Sequence, residues 1–217
     1  MLTLPLWLVA KLSPAKDKRH FVAKEIAIMK PIVLGTSGVT LSVEGKENMP
    51  DRPALYIANH QGLFDIVITL GGLGEPLAFL AKKESETVPI ASSWMKMLGC
   101  VFIDRNNPRE SLKAIQECEE RLKDGYTMII FPEGTRSRKH EMGEFKSGSM
   151  RCAIKAGVPI VPCVIDGSYK AWEEFHRIRP CEIKIKVLPP IETAGLEKER
   201  TKHIADEVEQ MIKEALG

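Results

Sequence analysis

His60 and Asp65, a histidine and an aspartate separated by four residues, are the first pair in this chain that could do chemistry. On one continuous helix, residues five apart point about 140° away from each other. Gly62 lies between them and permits a turn, so we expect the Asp65 carboxylate to reach back to a ring nitrogen of His60. It would hold the imidazole in one tautomer and stabilise the cation that forms when His60 takes a proton, as a general base requires. The pair alone leaves open a second interpretation, a structural histidine that bonds to the backbone at a strand end.

Further polar side chains follow the apolar runs of the chain, and four of them are cationic: Lys82, Arg105, Arg136 and Lys146. An arginine binds phosphate through a planar fork of N–H donors, and a lysine adds a point charge. Gly134 lets the backbone approach a ligand closely, so that backbone N–H groups there serve as additional anion donors. Glu133 cannot hold phosphate, and we expect it to orient Arg136 or to accept from a substrate hydroxyl. The residues therefore predict a base beside a phosphate-binding site.

The apolar runs are typical of strands, and they alternate with helical patterns. Strands are predicted at 39–44, 54–58, 77–81, 100–103, 127–131, 159–165 and 182–188, of which the first and last alternate and are predicted to be edge strands. Helices are predicted at 66–70, 92–98, 108–123, 149–156 and 201–216. This order predicts an α/β fold, in which residues 38–217 form a single domain with a largely parallel central sheet covered by helices. The polar side chains then converge at the carboxyl edge of the sheet, where ligands bind.

Residues 1–37 have a different pattern, which is typical of an amphipathic helical segment that associates with a membrane. The apolar run at 2–9 is too short to cross a bilayer as a helix, which takes about 20 residues. Two more short runs, at 26–29 and 32–34, are separated by Pro31, which predicts a break in the helix. The segment also carries basic residues suited to anionic lipid: Lys11, Lys16, Lys18, Arg19, Lys24 and Lys30. We expect a peripheral or monotopic membrane protein on the cytoplasmic face of the cell membrane; the alternative is a helix pair packed on the domain.

Composition excludes some classes of function. The 217 residues carry a net charge of +2, which offers no basis for nucleic-acid binding. The five cysteines form no Cys-x-x-Cys pair and are predicted to be reduced thiols packed in the core, as in a cytosolic protein. No metal site is predicted, because His60 and Asp65 lack further ligands at metal-binding spacing.

Four blocks of the sequence, taken together, resemble the 1-acylglycerol-3-phosphate acyltransferase family of glycerolipid synthesis. They occur in the family's order: Asn59-His60 with Asp65 (an HX4D motif), Gly99-Cys100-Val101-Phe102-Ile103-Asp104-Arg105, Phe131-Pro132-Glu133-Gly134-Thr135-Arg136-Ser137, and Val158-Pro159-Ile160-Val161-Pro162. Lys82 and the Phe145-Lys146-Ser147-Gly148 segment also resemble family positions. One departure is Gly62, where many members carry serine.

The resemblance implies an O-acyltransferase. His60, oriented by Asp65, would deprotonate the sn-2 hydroxyl of lysophosphatidic acid, which attacks the carbonyl of a fatty acyl thioester and gives phosphatidic acid. No cofactor is implied, only a co-substrate thioester of acyl-carrier protein or coenzyme A. The implied phosphate- and glycerol-binding residues are Lys82, Arg105, Glu133, Gly134 and Arg136, with Asn59 and Lys146 as possible additions and backbone N–H groups near Gly134 as candidate oxyanion donors.

Three alternatives remain open. The acceptor could be another lysophospholipid, although an exposed phosphomonoester makes fuller use of the cationic set than a diester does. His60 could instead activate water, which would make the protein a thioesterase or a phospholipase. A non-catalytic module that binds anionic lipid is the third alternative, and it predicts no product at all.

Overall fold

The computed structural model describes residues 18–74 and 76–217 of the chain. The apolar run at 2–9 and the basic residues Lys11 and Lys16 therefore lie outside the described residues, and their predicted membrane association stays a prediction. Within the described part, strands and helices alternate from residue 55 to residue 166, as the sequence predicts.

Seven strands in the described part form one sheet, in the order β1-β7-β6-β2-β5-β3-β4. Their bounds are β1 Val39–Glu44, β2 Leu55–Ala58, β3 Leu77–Lys82, β4 Val101–Ile103, β5 Thr127–Ile130, β6 Ile160–Asp166 and β7 Cys181–Val187. Neighbouring strands pair in parallel except β6 and β7, which are antiparallel. The largely parallel sheet is confirmed, and the carboxyl ends of β2, β3, β4 and β5 meet at one edge.

Helices cover both faces of this sheet, because alternate residues of the central strands point to opposite sides and both sides are apolar. The helices are α1 Arg19–Ser37, α2 Phe64–Gly72, α3 Pro89–Leu98, α4 Pro108–Lys123, α5 Arg151–Ala156 and α6 Lys198–Leu216. On one face, Tyr56 of β2 packs in a core with residues of α1, α2 and α3. On the other face, Leu55 and Ile57 pack with residues of α4, α5 and α6. The α/β single-domain prediction is confirmed.

The prediction that residues 182–188 form an edge strand is wrong. β7 lies inside the sheet, between β1 and β6. Glu182, Lys184 and Lys186 are exposed while the residues between them are buried, because only one face of β7 is covered. The alternation of polar and apolar residues therefore indicates that one face of β7 is exposed to solvent, and it does not indicate a position at the edge of the sheet. β1, which shows the same alternation, does lie at the edge.

Helix α1 runs from Arg19 to Ser37 without interruption, so the predicted break at Pro31 is wrong. A proline removes one backbone donor, but the helix is also held by its contacts with the domain. Val22 is fully buried, Ile26 packs against the same core, and Lys30 donates through Nζ to the Gly71 carbonyl at the end of α2. None of the helices in the described part of the chain combines the length and the apolar character needed to span a membrane.

Candidate active site

The His60–Asp65 contact forms at the turn from β2 into α2. His60 Nδ1 lies 2.7 Å from Asp65 Oδ2, so the contact predicted from the sequence is confirmed. The same Oδ2 accepts from the Gly62 N–H at 2.9 Å, which fixes the tight turn between them. Asp65 is fully buried in the first turn of α2, where the positive end of the helix dipole favours a carboxylate. A proton on Nδ1 therefore faces Asp65, and Nε2 is the ring nitrogen that can take a proton from a ligand.

The His60 ring is also held from its face. It stacks on Phe131, with ring centroids 4.2 Å apart and an interplanar angle of 15°. The side chain is 17% exposed, so the ring is accessible along one edge only. Stacking and the Asp65 contact together leave the imidazole one orientation, which is what a positioned general base needs.

The backbone of His60 is fixed by the segment that follows β5. The His60 N–H donates to Glu133 Oε1 at 2.6 Å, and the Ser137 N–H donates to the His60 carbonyl at 2.8 Å. Glu133 Oε2 accepts from the Gly143 N–H at 2.6 Å. Burial raises the pKa of Glu133, and the hydrogen bonds from Gly143 and His60 act in the opposite direction. Glu133 thus links the backbone of His60 to the loop that contains Gly143. The prediction that Glu133 orients Arg136 is wrong.

Arg136 is oriented by a residue that the sequence analysis missed. Arg136 Nη1 donates to Glu173 Oε1 at 2.9 Å, across 37 residues of sequence. Glu173 lies between the short helical turn Ser168–Ala171 and β7, in a segment with no helical or strand periodicity. No signal in the sequence points to it, because a lone glutamate in an irregular loop is most often a solvated charge.

Asn59, proposed from the sequence as an additional site residue, is fully buried and faces β6 instead of a ligand. Its Nδ2 donates to the Ile165 carbonyl at 2.8 Å, and its Oδ1 accepts from the Ile165 N–H at 2.7 Å. Both polar atoms of the amide are used by one backbone residue. Asn59 therefore binds the end of β2 to β6 and helps fix the position of His60, so this site prediction is corrected.

A cavity of about 890 Å³ opens in front of His60. One part of its wall is apolar and comes from the helices, including Leu70, Trp94 and Leu98. Another part carries the predicted cationic and glycine positions: Lys82, Arg105, Gly134 and Arg136. The structure therefore brings the base and most of the predicted phosphate-binding residues to one cavity with both polar and apolar walls, as an amphipathic ligand requires.

The cationic side chains differ in how tightly they are held. Lys82 is 58% exposed and pairs with Glu84 at 2.9 Å. Burial lowers the pKa of Arg105, and Glu84 opposes that effect. A side-chain Cβ at Gly134 would lie 2.9 Å from Lys146 Nζ and 3.8 Å from Arg105 Cζ, so both cations approach this glycine. A Cβ at this position would press on the end of the Lys146 side chain and would only touch Arg105.

The N–H of Gly134 itself is used within the protein, so the prediction that backbone N–H groups near Gly134 bind an anion now concerns its neighbours and stays a prediction. Gly134 has a φ of +74° and its N–H donates to the Phe131 carbonyl at 3.1 Å, so the amide closes a turn. The left-handed conformation itself favours glycine. Gly134 therefore forms part of the cavity wall through the turn that it closes.

The thiols are poor nucleophiles in this structure. Cys100, which lines the cavity, is buried, and burial raises its pKa to about 12. Burial also raises the pKa of Cys152 to about 12, and that of Cys118 and Cys163 as well. Core packing is thereby confirmed for four of the five cysteines, while Cys181 is half-buried. Among residues 18–74 and 76–217, no three histidine, cysteine or acidic side chains gather closely enough to hold a metal ion.

Comparison with known proteins adds a family match. The family model described as Acyltransferase matches residues 40–166, more than half of the chain. The chain is 40% identical over 153 residues to a chloroplastic 1-acyl-sn-glycerol-3-phosphate acyltransferase of Arabidopsis thaliana, and 34% identical over 171 residues to an enzyme of that name from Cocos nucifera. These matches cover 70% and 78% of this chain but 42% and 55% of the relatives, so the chain spans about half of their length.

A solved structure is also similar. The crystal structure of the 1-acyl-sn-glycerophosphate acyltransferase PlsC from Thermotoga maritima superposes with a TM-score of 0.83 at 31% identity. The match covers 97% of this chain and 85% of that one, so the two folds correspond over nearly all of this chain.

Proposed function

Because this chain belongs to the acyltransferase family, we propose that it transfers a fatty acyl group to the sn-2 hydroxyl of 1-acyl-sn-glycerol-3-phosphate, giving phosphatidic acid. The observation that carries this proposal is the His60–Asp65 contact at 2.7 Å, placed on a cavity whose wall also carries Lys82, Arg105 and Arg136. A base beside a set of cations suits an acceptor that has both a reactive hydroxyl and a phosphate.

The reaction follows from the geometry of the base. His60 Nε2 takes the proton of the acceptor hydroxyl as its oxygen attacks the thioester carbonyl, and Asp65 stabilises the imidazolium. The tetrahedral intermediate then expels the thiolate, the C–S bond breaks, and the imidazolium returns its proton to the sulfur. The products are phosphatidic acid and a free thiol. No acyl-enzyme is needed, in keeping with the raised pKa of Cys100, the thiol in the cavity wall.

The cationic residues would bind the acceptor phosphate. Arg136 and Arg105 offer N–H forks to a phosphomonoester dianion, and Lys82 adds a charge at the rim. The apolar wall formed by Leu70, Trp94 and Leu98 would receive acyl chain. The acyl donor is a thioester of acyl-carrier protein or coenzyme A, and neither requires a further cofactor.

We place the protein at the membrane surface that holds its acceptor. The segment 1–37 would associate with the cytoplasmic face of the cell membrane as a peripheral or monotopic anchor. Ile28 and Ile32 of α1 support this, since they are 59% and 48% exposed on one side of a helix whose other side packs on the domain.

The decisive experiment is a transfer assay with lysophosphatidic acid and a labelled acyl thioester, run on the wild type, on His60→Ala and on a control. His203→Ala is the matched control, because its side chain is 67% exposed on α6. We expect phosphatidic acid from the wild type and the control and almost none from His60→Ala. Substantial turnover by a folded His60→Ala would contradict the mechanism.

The same assay separates the alternatives. Carrier-protein and coenzyme A thioesters are supplied separately, and lysophosphatidylcholine serves as a second acceptor. If product forms only from lysophosphatidylcholine, the reaction is still the proposed acyl transfer, but its acceptor is a different lysophospholipid. Free fatty acid without phosphatidic acid would indicate a hydrolase, and lipid binding without any product would indicate a non-catalytic module.

A further inference from the structure

Glu173 is a buried carboxylate that contacts two separate parts of the site. Its Oε1 accepts from Arg136 Nη1 at 2.9 Å and from the Leu63 N–H at 2.8 Å. Leu63 is the residue that precedes α2, the helix that carries Asp65. The Glu173 side chain is 3% exposed, whereas that of Arg136 is 35% exposed and lines the cavity. The buried Glu173 carboxylate thus binds the side chain of Arg136, which lines the cavity.

The second oxygen of Glu173 lies against Gly62. Among the described residues Oε2 has no hydrogen-bond partner although it is buried. A Cβ at Gly62 would lie 2.5 Å from this oxygen and 3.2 Å from the Ser168 carbonyl oxygen, both too close for ordinary packing. The carboxylate therefore occupies the space that a side chain at position 62 would need.

We propose that Glu173 is a positioning residue for Arg136, and that Gly62 is the glycine that makes room for it. The proposal rests on the proposed function, because it assigns Arg136 to the acceptor phosphate. An arginine side chain has several rotatable bonds, and an ion pair with a rigid partner holds the guanidinium in place. Since Glu173 engages Nη1, the other guanidinium donors stay available on the cavity side. The acceptor phosphate then binds to a guanidinium group whose orientation is already fixed.

The alternative is that Glu173 only anchors its loop to the start of α2. A structural anchor would affect folding and turnover in general, whereas a positioning residue acts on acceptor binding through Arg136. The two roles can be separated, because Glu173→Gln keeps an oxygen that accepts from the Leu63 N–H and loses the charge that Arg136 needs. Glu174→Gln is the matched control, since it removes the same charge from the exposed neighbouring residue.

The first test measures kcat and KM for lysophosphatidic acid together with the thermal unfolding midpoint. We expect Glu173→Gln to raise the acceptor KM about 10-fold, the change expected from losing a charge-assisted contact, with kcat and the unfolding midpoint nearly unchanged. Glu174→Gln should match the wild type. In an Arg136→Ala background, Glu173→Gln should cause no further rise in KM. An equal rise with and without Arg136, or no rise in the wild-type background, would overturn the proposal.

The second test uses Gly62. Gly62→Ser should displace the Glu173 carboxylate and raise the acceptor KM in an otherwise wild-type chain. In a Glu173→Ala background the space is open, so Gly62→Ser should add nothing to the KM of that variant. A serine that leaves the wild-type KM unchanged, or that raises it equally in both backgrounds, would overturn the pairing of the two residues. A wild type that makes no phosphatidic acid would count against the proposed function itself, whereas an active wild type with these unchanged KM values counts against the inference alone.

Discussion

At the scale of single residues, three buried carboxylates have different roles in the site. A buried carboxylate is costly unless hydrogen bonds or a cation compensate it, so its partners indicate what it does. Asp65 faces the imidazole, Glu133 faces two backbone N–H groups, and Glu173 faces Arg136 and a helix start. Only Asp65 contacts the imidazole of the proposed base. Glu133 holds the backbone of His60, and Glu173 holds Arg136 and the start of α2.

Asp65→Asn tests the partner of the base. The amide keeps the size of the carboxylate but can turn its NH₂ toward His60 Nδ1, which favours the wrong tautomer and no longer stabilises the imidazolium. We expect kcat to fall by a factor on the order of 10³–10⁴, as in comparable triads, with little change in the acceptor KM. Steady-state kinetics on a variant with an unchanged circular dichroism spectrum checks this. A loss of less than about 10-fold would mean that Asp65 only supports the fold.

Arg136→Ala tests the phosphate assignment. A hydrogen bond to a charged group is worth about 1.5–3 kcal/mol, so the acceptor KM should rise about 10- to 100-fold while the KM for the acyl thioester stays near its wild-type value. Arg52→Ala is the control, because Arg52 pairs with Glu192 on an exposed surface. If the thioester KM rises instead, Arg136 contacts the donor and the assignment is wrong.

At the scale of elements, the site depends on how β2 is held at its end. Asn59 follows β2 directly and clamps Ile165 of β6 through both of its polar atoms, so the strand end that delivers His60 is fixed laterally. Phe131, which follows β5, covers the ring from one face. Contacts with the ends of three neighbouring strands therefore help to fix the position of the imidazole.

Asn59→Ala should destabilise the fold more than an ordinary surface change. It removes two buried hydrogen bonds and leaves the Ile165 backbone unsatisfied, so the free energy of unfolding should fall by about 2–4 kcal/mol. Asn48→Ala is the comparison, because Asn48 donates a single part-buried hydrogen bond to the Val187 carbonyl at 2.9 Å. Urea unfolding of both variants measures the difference. Equal losses would show that the Asn59 clamp contributes nothing beyond one ordinary hydrogen bond.

The sequence predicted those elements whose pattern is local. α4 begins at Pro108 with Asn107 as its cap and buries Ala114, Cys118 and Leu122, and the turn at Gly62 brings Asp65 to His60 as expected. Glu173 could not be predicted, because its partner Leu63 is 110 residues away and its loop has no period. The partners of Glu133 are likewise backbone groups of distant segments, and only the folded chain brings them together.

At the scale of the whole molecule, the cavity and α1 lie on the same face of the sheet. Val22 and Ile26 of α1 line the cavity, so the helix that carries the proposed membrane contact also forms part of the wall. A lipid acceptor held in a bilayer could then enter beside the helix without leaving the interface completely. Deleting α1 would damage the cavity and test nothing about the membrane, so the experiment must change only the outward side of the helix.

Ile28 and Ile32 are one helical turn apart on α1 and are 59% and 48% exposed, so replacing both with serine should leave the unfolding midpoint nearly unchanged. If this side of α1 enters the lipid interface, the loss of two apolar side chains should weaken sedimentation with vesicles containing phosphatidylglycerol by about 10-fold or more, since each buried isoleucine contributes about 1.5–3 kcal/mol. Leu112→Ser on α4 is the matched control at 51% exposure, and it should sediment like the wild type. Unchanged sedimentation of the double variant would show that α1 does not contact the membrane through this side. An equal loss in Leu112→Ser would show that vesicle binding follows general surface hydrophobicity and is not specific to α1.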